Sequence, residues 1–115
     1  MNIIIFGPPG AGKGTQSDKI ASKYQLFKIS TGDLLRNEIK KKTLLGKKIE
    51  KIVNSGSLVS DNIINDLIEK IVSDKKHKNK IIFDGYPRNI QQAKNLNTLL
   101  KKHEQKIDLV ISLKV

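Results

Sequence analysis

The apolar positions of this chain follow two patterns. Four short runs are almost continuously apolar: Ile3-Ile4-Ile5-Phe6, Leu26-Phe27-Lys28-Ile29, Ile81-Ile82-Phe83 closing on Asp84, and Leu109-Val110-Ile111-Ser112-Leu113. Unbroken runs of this length predict strands buried on both faces, as in a parallel sheet. Between them, apolar residues recur at three- and four-residue spacing and predict helices. One helix covers Lys13 to about Tyr24, with Ile20, Ala21 and Tyr24 inward. Ser30-Thr31-Gly32-Asp33 has the small hydroxyl and acidic residues of a helix start, leading through Leu34, Leu35, Arg36 and Ile39. A third helix spans Leu45 to Ser55, with Leu45, Ile49, Ile52 and Val53 on its apolar side and Gly56 ending it. From Ser60-Asp61 the set Ile63, Ile64, Leu67, Ile68, Ile71 and Val72 is the clearest periodicity in the chain and predicts core. The last helix runs from about Asn89 to His103, with Ile90, Ala93, Leu96 and Leu100 inward. His103 is expected as a cation near that helix's negative end. Asp74 to Lys80 reads as a polar connection in which His77 is solvated.

Strands alternating with helices predict an α/β fold, a parallel β-sheet flanked by helices on both faces. Two or three helices stand between the second and third strands where one would do. That surplus, about residues 30–59, predicts a small helical subdomain able to move.

The first strand leads into Gly7 to Thr15, GPPGAGKGT, where four glycines let the backbone approach a ligand closely. A polyphosphate requires inward-facing amide groups and a mobile cation. The following helix start offers the former, and Lys13 offers the latter. Gly7 to Lys13 matches the first part of the phosphate-loop pattern, although Gly14 separates the lysine from the hydroxyl residue Thr15. The third strand closes on Asp84, placed to hold Mg²⁺ or its waters. In a parallel sheet both elements lie at the carboxyl ends of the strands, where ligands bind. The same edge carries Thr31, Asp33, Arg36, Arg88 and Gln92. Arginine grips phosphate oxygens in pairs, so Arg36 and Arg88 facing one loop imply a second phosphate-bearing ligand and, with ATP, phosphoryl transfer.

Charge changes this picture little. The formal net charge is +11, carried by 20 lysines and two arginines. Lys, Asn and Ile share A/T-rich codons, so genome composition accounts for the excess without selection for a polyanion. The lysines lack an aromatic platform for stacked bases, and a nucleic acid is not an expected partner. There is no cysteine, which excludes disulfides and thiolate metal sites. Nothing reads as a leader or a membrane span, so the expected location is cytoplasmic.

Three ordered stretches, Gly7 to Thr15, Ser30 to Arg36 and Asp84 to Arg88 with Gln92, resemble the signatures of the adenylate kinases, and the likeness extends along the whole chain. The resemblance implies a phosphate-loop (P-loop) nucleoside triphosphate hydrolase-like core and transfer of the γ-phosphoryl of Mg·ATP to AMP, giving two ADP. It puts the ATP phosphates on Gly10, Ala11, Gly12, Lys13, Gly14 and Thr15. AMP falls to Thr31, Arg36, Gly85, Tyr86, Pro87, Arg88 and Gln92, with Ser57, Leu58 and Val59 along its adenine. Lys13, Arg88 and Asp84 are the catalytic group, Asp84 ordering the waters of Mg²⁺ with no certain direct protein ligand. Residues 30–59 become the mobile AMP-binding subdomain. Relative to the family pattern, the lid and later arginines are missing from this sequence. The chain is accordingly expected as a monomer with an exposed edge strand. A nucleotide-binding module with little turnover and a kinase for another nucleoside monophosphate stay open as alternatives.

Overall fold

The four apolar runs pair side by side in one parallel sheet. The computed structural model describes residues 1–8 and 12–114. Its strands are β1 (Asn2–Phe6), β2 (Phe27–Ser30), β3 (Ile81–Asp84) and β4 (Leu109–Ser112), in the spatial order β2-β3-β1-β4. The helices are α1 (Lys13–Tyr24), α2 (Thr31–Lys40), α3 (Leu44–Asn54), α4 (Asp61–Val72) and α5 (Ile90–Lys102), as the alternation predicts.

Register brings the chemistry together. Ile5 lies opposite Asp84, Asp84 opposite Ser30, and Phe6 opposite Ser112. The segments that leave these tips therefore emerge along one edge.

Because strand residues alternate between faces, the continuous runs feed two apolar layers. Ile4, Ile29, Ile81 and Phe83 join α4 and α5 through Leu67, Ile68, Leu96 and Leu100. Ile3, Ile5 and Ile82 pack on the other face with Leu26 and, from α1, Ile20 and Ala21. Each fully buried Ile or Phe contributes roughly 1.5–3 kcal/mol, which concentrates stability in β1 and β3, the central strands. Leu34 of α2 and Ile49 of α3 belong to the first layer, so the surplus helices share the main core.

Side chains accept the free amides that open four of the helices. Ser30 accepts from Asp33 N (3.2 Å), Thr43 from Gly46 N (2.9 Å), Ser60 from Ile63 N (3.4 Å) and Asn89 from Gln92 N (2.8 Å). Capped by Thr43, α3 begins at Leu44, one residue before the expected Leu45. At the opposite end of the sheet, Asn2 accepts from Ile81 N at 3.2 Å and donates to Gln105 Oε1 at 3.1 Å. Gln105 in turn donates to the Val72 carbonyl at 3.0 Å, pinning the sheet below the site.

The structure corrects several positions, all near element ends. Tyr24 is 51 % exposed because it closes α1, where the chain turns through Gln25 (φ 55°), and its ring lies against the Lys23 ammonium. Ile90 is 76 % exposed as the first residue of α5, and Val53 is also exposed, near the end of α3. His77 is half-buried, in a short 3-10 turn, and stacks on Phe27 at 4.1 Å between ring centres. His103 sits at the end of α5 as expected, with Nε2 3.1 Å from Glu69 of α4. Lys102 and then His103 hold the Glu69 carboxyl below the usual range. β4 forms one edge of the sheet, with Leu109 and Val110 exposed. Among the described residues, no helix is long and apolar enough to cross a membrane.

Candidate nucleotide-binding site

Lys13 opens α1 directly after Gly12, whose φ of +78° is a left-handed conformation that glycine adopts without strain. Among the described residues no side chain caps this helix, and its first-turn amides supply the partial positive charge that anions favour. Gly14 and Thr15 lie exposed in that turn. Gly10 and Ala11 lie outside the described residues.

The Lys13 ammonium forms an ion pair with Asp84 at the tip of β3. Ser17, one turn further along α1 and fully buried, donates to Asp84 Oδ2 at 2.9 Å. Lys28, from the neighbouring β2, brings its ammonium to 3.4 Å from the same oxygen and 2.9 Å from Asp18. Burial alone would raise the Asp84 pKa. Hydrogen bonds from Lys13 and Ser17, with the charges of Lys13 and Lys28, outweigh it and hold the carboxyl below the usual range. The carboxylate is thus kept ionised while only 5 % exposed. Burial lowers the Lys28 pKa in the same way, but Asp18 and then Asp84 raise it above the ordinary lysine value.

Past Asp84 the chain turns through Gly85 at φ +72°. A Cβ placed there would stand 3.6 Å from Lys13 Nζ and 3.8 Å from Arg88 Nη2. Two cations from distant parts of the chain therefore flank one small volume beside a glycine. Arg88 is held in place by its own loop, donating from Nε to the Gly85 carbonyl at 2.9 Å.

Arg88 also borders a cavity of about 470 Å³ beside this point, a size suited to a small ligand. Its lining gathers Thr31, Ser57, Leu58, Val59, Arg88 and Gln92 from the expected acceptor-site residues. Leu35, Val53, Asp61, Ile64 and Asn89 complete the wall with Gly56. Val53 and Leu58, exposed apolar side chains, thus face a cavity.

Gln92 is fixed in one orientation. The Arg88 backbone N–H can only donate, and it meets Oε1 at 2.7 Å. The Asp61 carboxylate can only accept, and Nε2 donates to it at 3.0 Å. The amide therefore cannot flip without losing both bonds.

Other expected residues stand elsewhere. Arg36 lies outside the cavity lining, exposed and paired with Asp33 on α2; Gly32 makes room for its guanidinium, 3.0 Å from where a Cβ would be. Bonds from Arg36 and then Ser30 hold the Asp33 carboxyl below its ordinary value. Tyr86 is a core residue, 1 % exposed, with its hydroxyl 3.3 Å from Asn65 Oδ1. Burial and then the Asp61 charge push that hydroxyl up to about 12. Pro87 is buried beside it. These two residues shape the loop that presents Arg88 and are absent from the cavity wall.

Sequence reasoning missed Ser17, Lys28 and Asp61. Ser17 carries a signal in hindsight, since it stands four residues after Lys13 on one helix face. Lys28 is the one charged residue in its apolar run. Asp61 meets Gln92 across 31 residues of chain, and nothing local announces that contact.

The profile of the adenylate kinase family matches residues 5–115. The chain is 53 % identical over its whole length to an adenylate kinase of Pelagibacter ubique, covering 54 % of that protein. It is 47 % identical over its whole length to an adenylate kinase of Porphyromonas gingivalis, covering 59 % of it. Against adenylate kinase 2 of Schistosoma mansoni it is 47 % identical over 104 residues, 90 % of this chain and 44 % of that protein. The chain thus spans about half the length of the curated relatives it matches.

Proposed function

The chain belongs to the adenylate kinase family, and from that premise we propose that it binds ATP at the tip of β1 and AMP in the neighbouring cavity. The proposed reaction is transfer of the γ-phosphoryl of Mg·ATP to AMP, giving two ADP. One observation supports this above the others: Lys13 Nζ and Arg88 Nη2 converge on the space beside Gly85. A triphosphate held at the start of α1 and a monophosphate held by Arg88 would meet between them.

In this reading the α1 amides and Lys13 take the ATP phosphates. Arg88, Thr31 and the fixed amide of Gln92 take AMP, with Ser57, Leu58 and Val59 along the base. Arg36 would complete the phosphate grip once released from Asp33. Residues 30–59 would act as the mobile part that closes over AMP. The acceptor phosphate oxygen attacks in line, and no protein nucleophile is needed. Catalysis consists of positioning and of neutralising charge.

The donor set fits magnesium. Asp84 is a buried, ionised carboxylate braced by the Ser17 hydroxyl, a hard oxygen donor suited to the waters of Mg²⁺. Asp84 would order those waters, and the ion would neutralise charge on the phosphate oxygens. Arg88 and Lys13 orient the reacting groups whatever holds the ion.

Arg88→Ala is expected to weaken AMP binding by ~10-fold or more, the loss of a charge-assisted, forked phosphate contact. ATP binding should change by less than ~3-fold. Calorimetric titration of the chain with each nucleotide checks both values, and unchanged AMP affinity would remove Arg88 from the acceptor site. A coupled assay with both nucleotides separates a kinase from a module that binds without turnover.

A further inference from the structure

Asp84 is paired with two ammonium groups, and only one of them has a role in the function proposed above. Lys13 sits at the start of α1, where a triphosphate would compete for it. If it moves to the phosphates, Asp84 loses its closest partner while its side chain is 5 % exposed, and a Mg²⁺ accompanying the triphosphate would reach it only through waters. A buried carboxylate stripped of its partner is strongly destabilising. Lys28 approaches the other oxygen of that carboxylate, from the adjacent strand. Its ammonium is 3.4 Å from Asp84 Oδ2 and 2.9 Å from Asp18 Oδ1. Ser17 closes the same oxygen at 2.9 Å. Register fixes the geometry, because Lys28 lies opposite Ile82 and Ser30 opposite Asp84, so Lys28 reaches up the sheet to a tip two residues away.

We propose that Lys28 is a positioning residue that holds Asp84 in place and compensated when Lys13 transfers to the triphosphate. The inference rests on ATP binding at the tip of β1 as proposed. Asp18, on the solvent side, would steady the Lys28 stem while remaining hydrated. With Lys28 in place, Lys13 can exchange one anion for another without leaving an unpaired charge behind. Without it, Asp84 keeps Lys13 and the triphosphate must compete for that lysine.

The test is a double-mutant cycle on the full chain, read as ATP affinity by calorimetry. Lys28→Gln should weaken ATP binding by ~10-fold, and Lys28→Arg should restore it to within ~3-fold of the parent. In an Asp84→Asn background, Lys28→Gln should change the affinity by less than ~2-fold, because the group it acts through is gone. An equal loss in both backgrounds would reduce Lys28 to a diffuse positive charge and overturn the proposal, as would unchanged affinity in Lys28→Gln. A parent chain that fails to bind ATP would refute the proposed function itself, and this inference with it. Should Lys28→Gln fail to fold, nitrogen NMR of the lysine ammonium groups in the parent chain gives the answer. On saturation with ATP the Lys13 signal should lose its coupling to Asp84 while that of Lys28 persists. Loss of the Lys28 coupling contradicts the inference.

Discussion

Lys13→Met is expected to lower the affinity of the chain for ATP by ~100-fold or more, equal to about 2.7 kcal/mol. Three observations set that size. Lys13 is the first residue of α1, so its charge adds to the helix-terminal amides at the same place. Its ammonium approaches the space beside Gly85 that Arg88 also borders. Methionine keeps the length and the apolar stem of lysine but cannot donate or carry charge. The unliganded protein should also lose stability, to an extent limited by Lys28 and Ser17, which still serve Asp84. Loss of one charged hydrogen bond there amounts to roughly 1.5–3 kcal/mol. Calorimetry with ATP and a thermal melt separate the two effects. A loss of affinity below ~10-fold would mean that the triphosphate is gripped elsewhere.

Gly46→Ala is expected to lower the melting temperature by roughly 5–15 °C, from an overpacking cost of about 1–3 kcal/mol. Gly46 lies in the first turn of α3 and is buried against α2. A Cβ there would stand 2.3 Å from the Glu38 carbonyl oxygen and 3.0 Å from its carbon. Both are backbone atoms, so the two helices must separate. Thr43, which caps α3 at Gly46 N and donates to the buried Glu38 carboxylate at 3.0 Å, would be displaced with them. The consequence reaches the cavity, because α3 carries Val53 and leads to the 56–59 segment that lines it. AMP affinity should therefore fall more than ATP affinity. A melting temperature within ~1 °C of the parent would show that α2 and α3 adjust without strain.

Much of this architecture is legible in the chain because its signals are local. An apolar run of four residues, or Ile64, Leu67, Ile68 and Val72 at helical spacing, needs no distant partner to be read. The same holds for the hydroxyl caps Ser30 and Ser60 and for Gly12, directly before Lys13. Element ends are harder. Ile90 and Tyr24 continue an apolar period, yet each is the terminal residue of its helix and is exposed. Contacts across the sheet are harder again. That Lys28 meets Asp84 depends on β2 lying beside β3, an adjacency that the strand order alone decides. The Asp61–Gln92 bond requires α4 and α5 to be neighbours, and the tight crossing at Gly46 requires the packed pair α2 and α3. In sequence Gly46 is only a weak helix former.

In the proposed function Lys13 and Arg88 serve one cleft in which a triphosphate and a monophosphate lie end to end. A ligand with two adenosines joined by a single polyphosphate chain probes that claim in one titration. Linked ligands gain affinity only when both ends engage together. The expected result is one-to-one binding ~100-fold or more tighter than either ATP or AMP, weakened by both Lys13→Met and Arg88→Ala. Binding no tighter than ATP alone, or indifferent to Arg88→Ala, would place the two cations in separate sites and contradict the account.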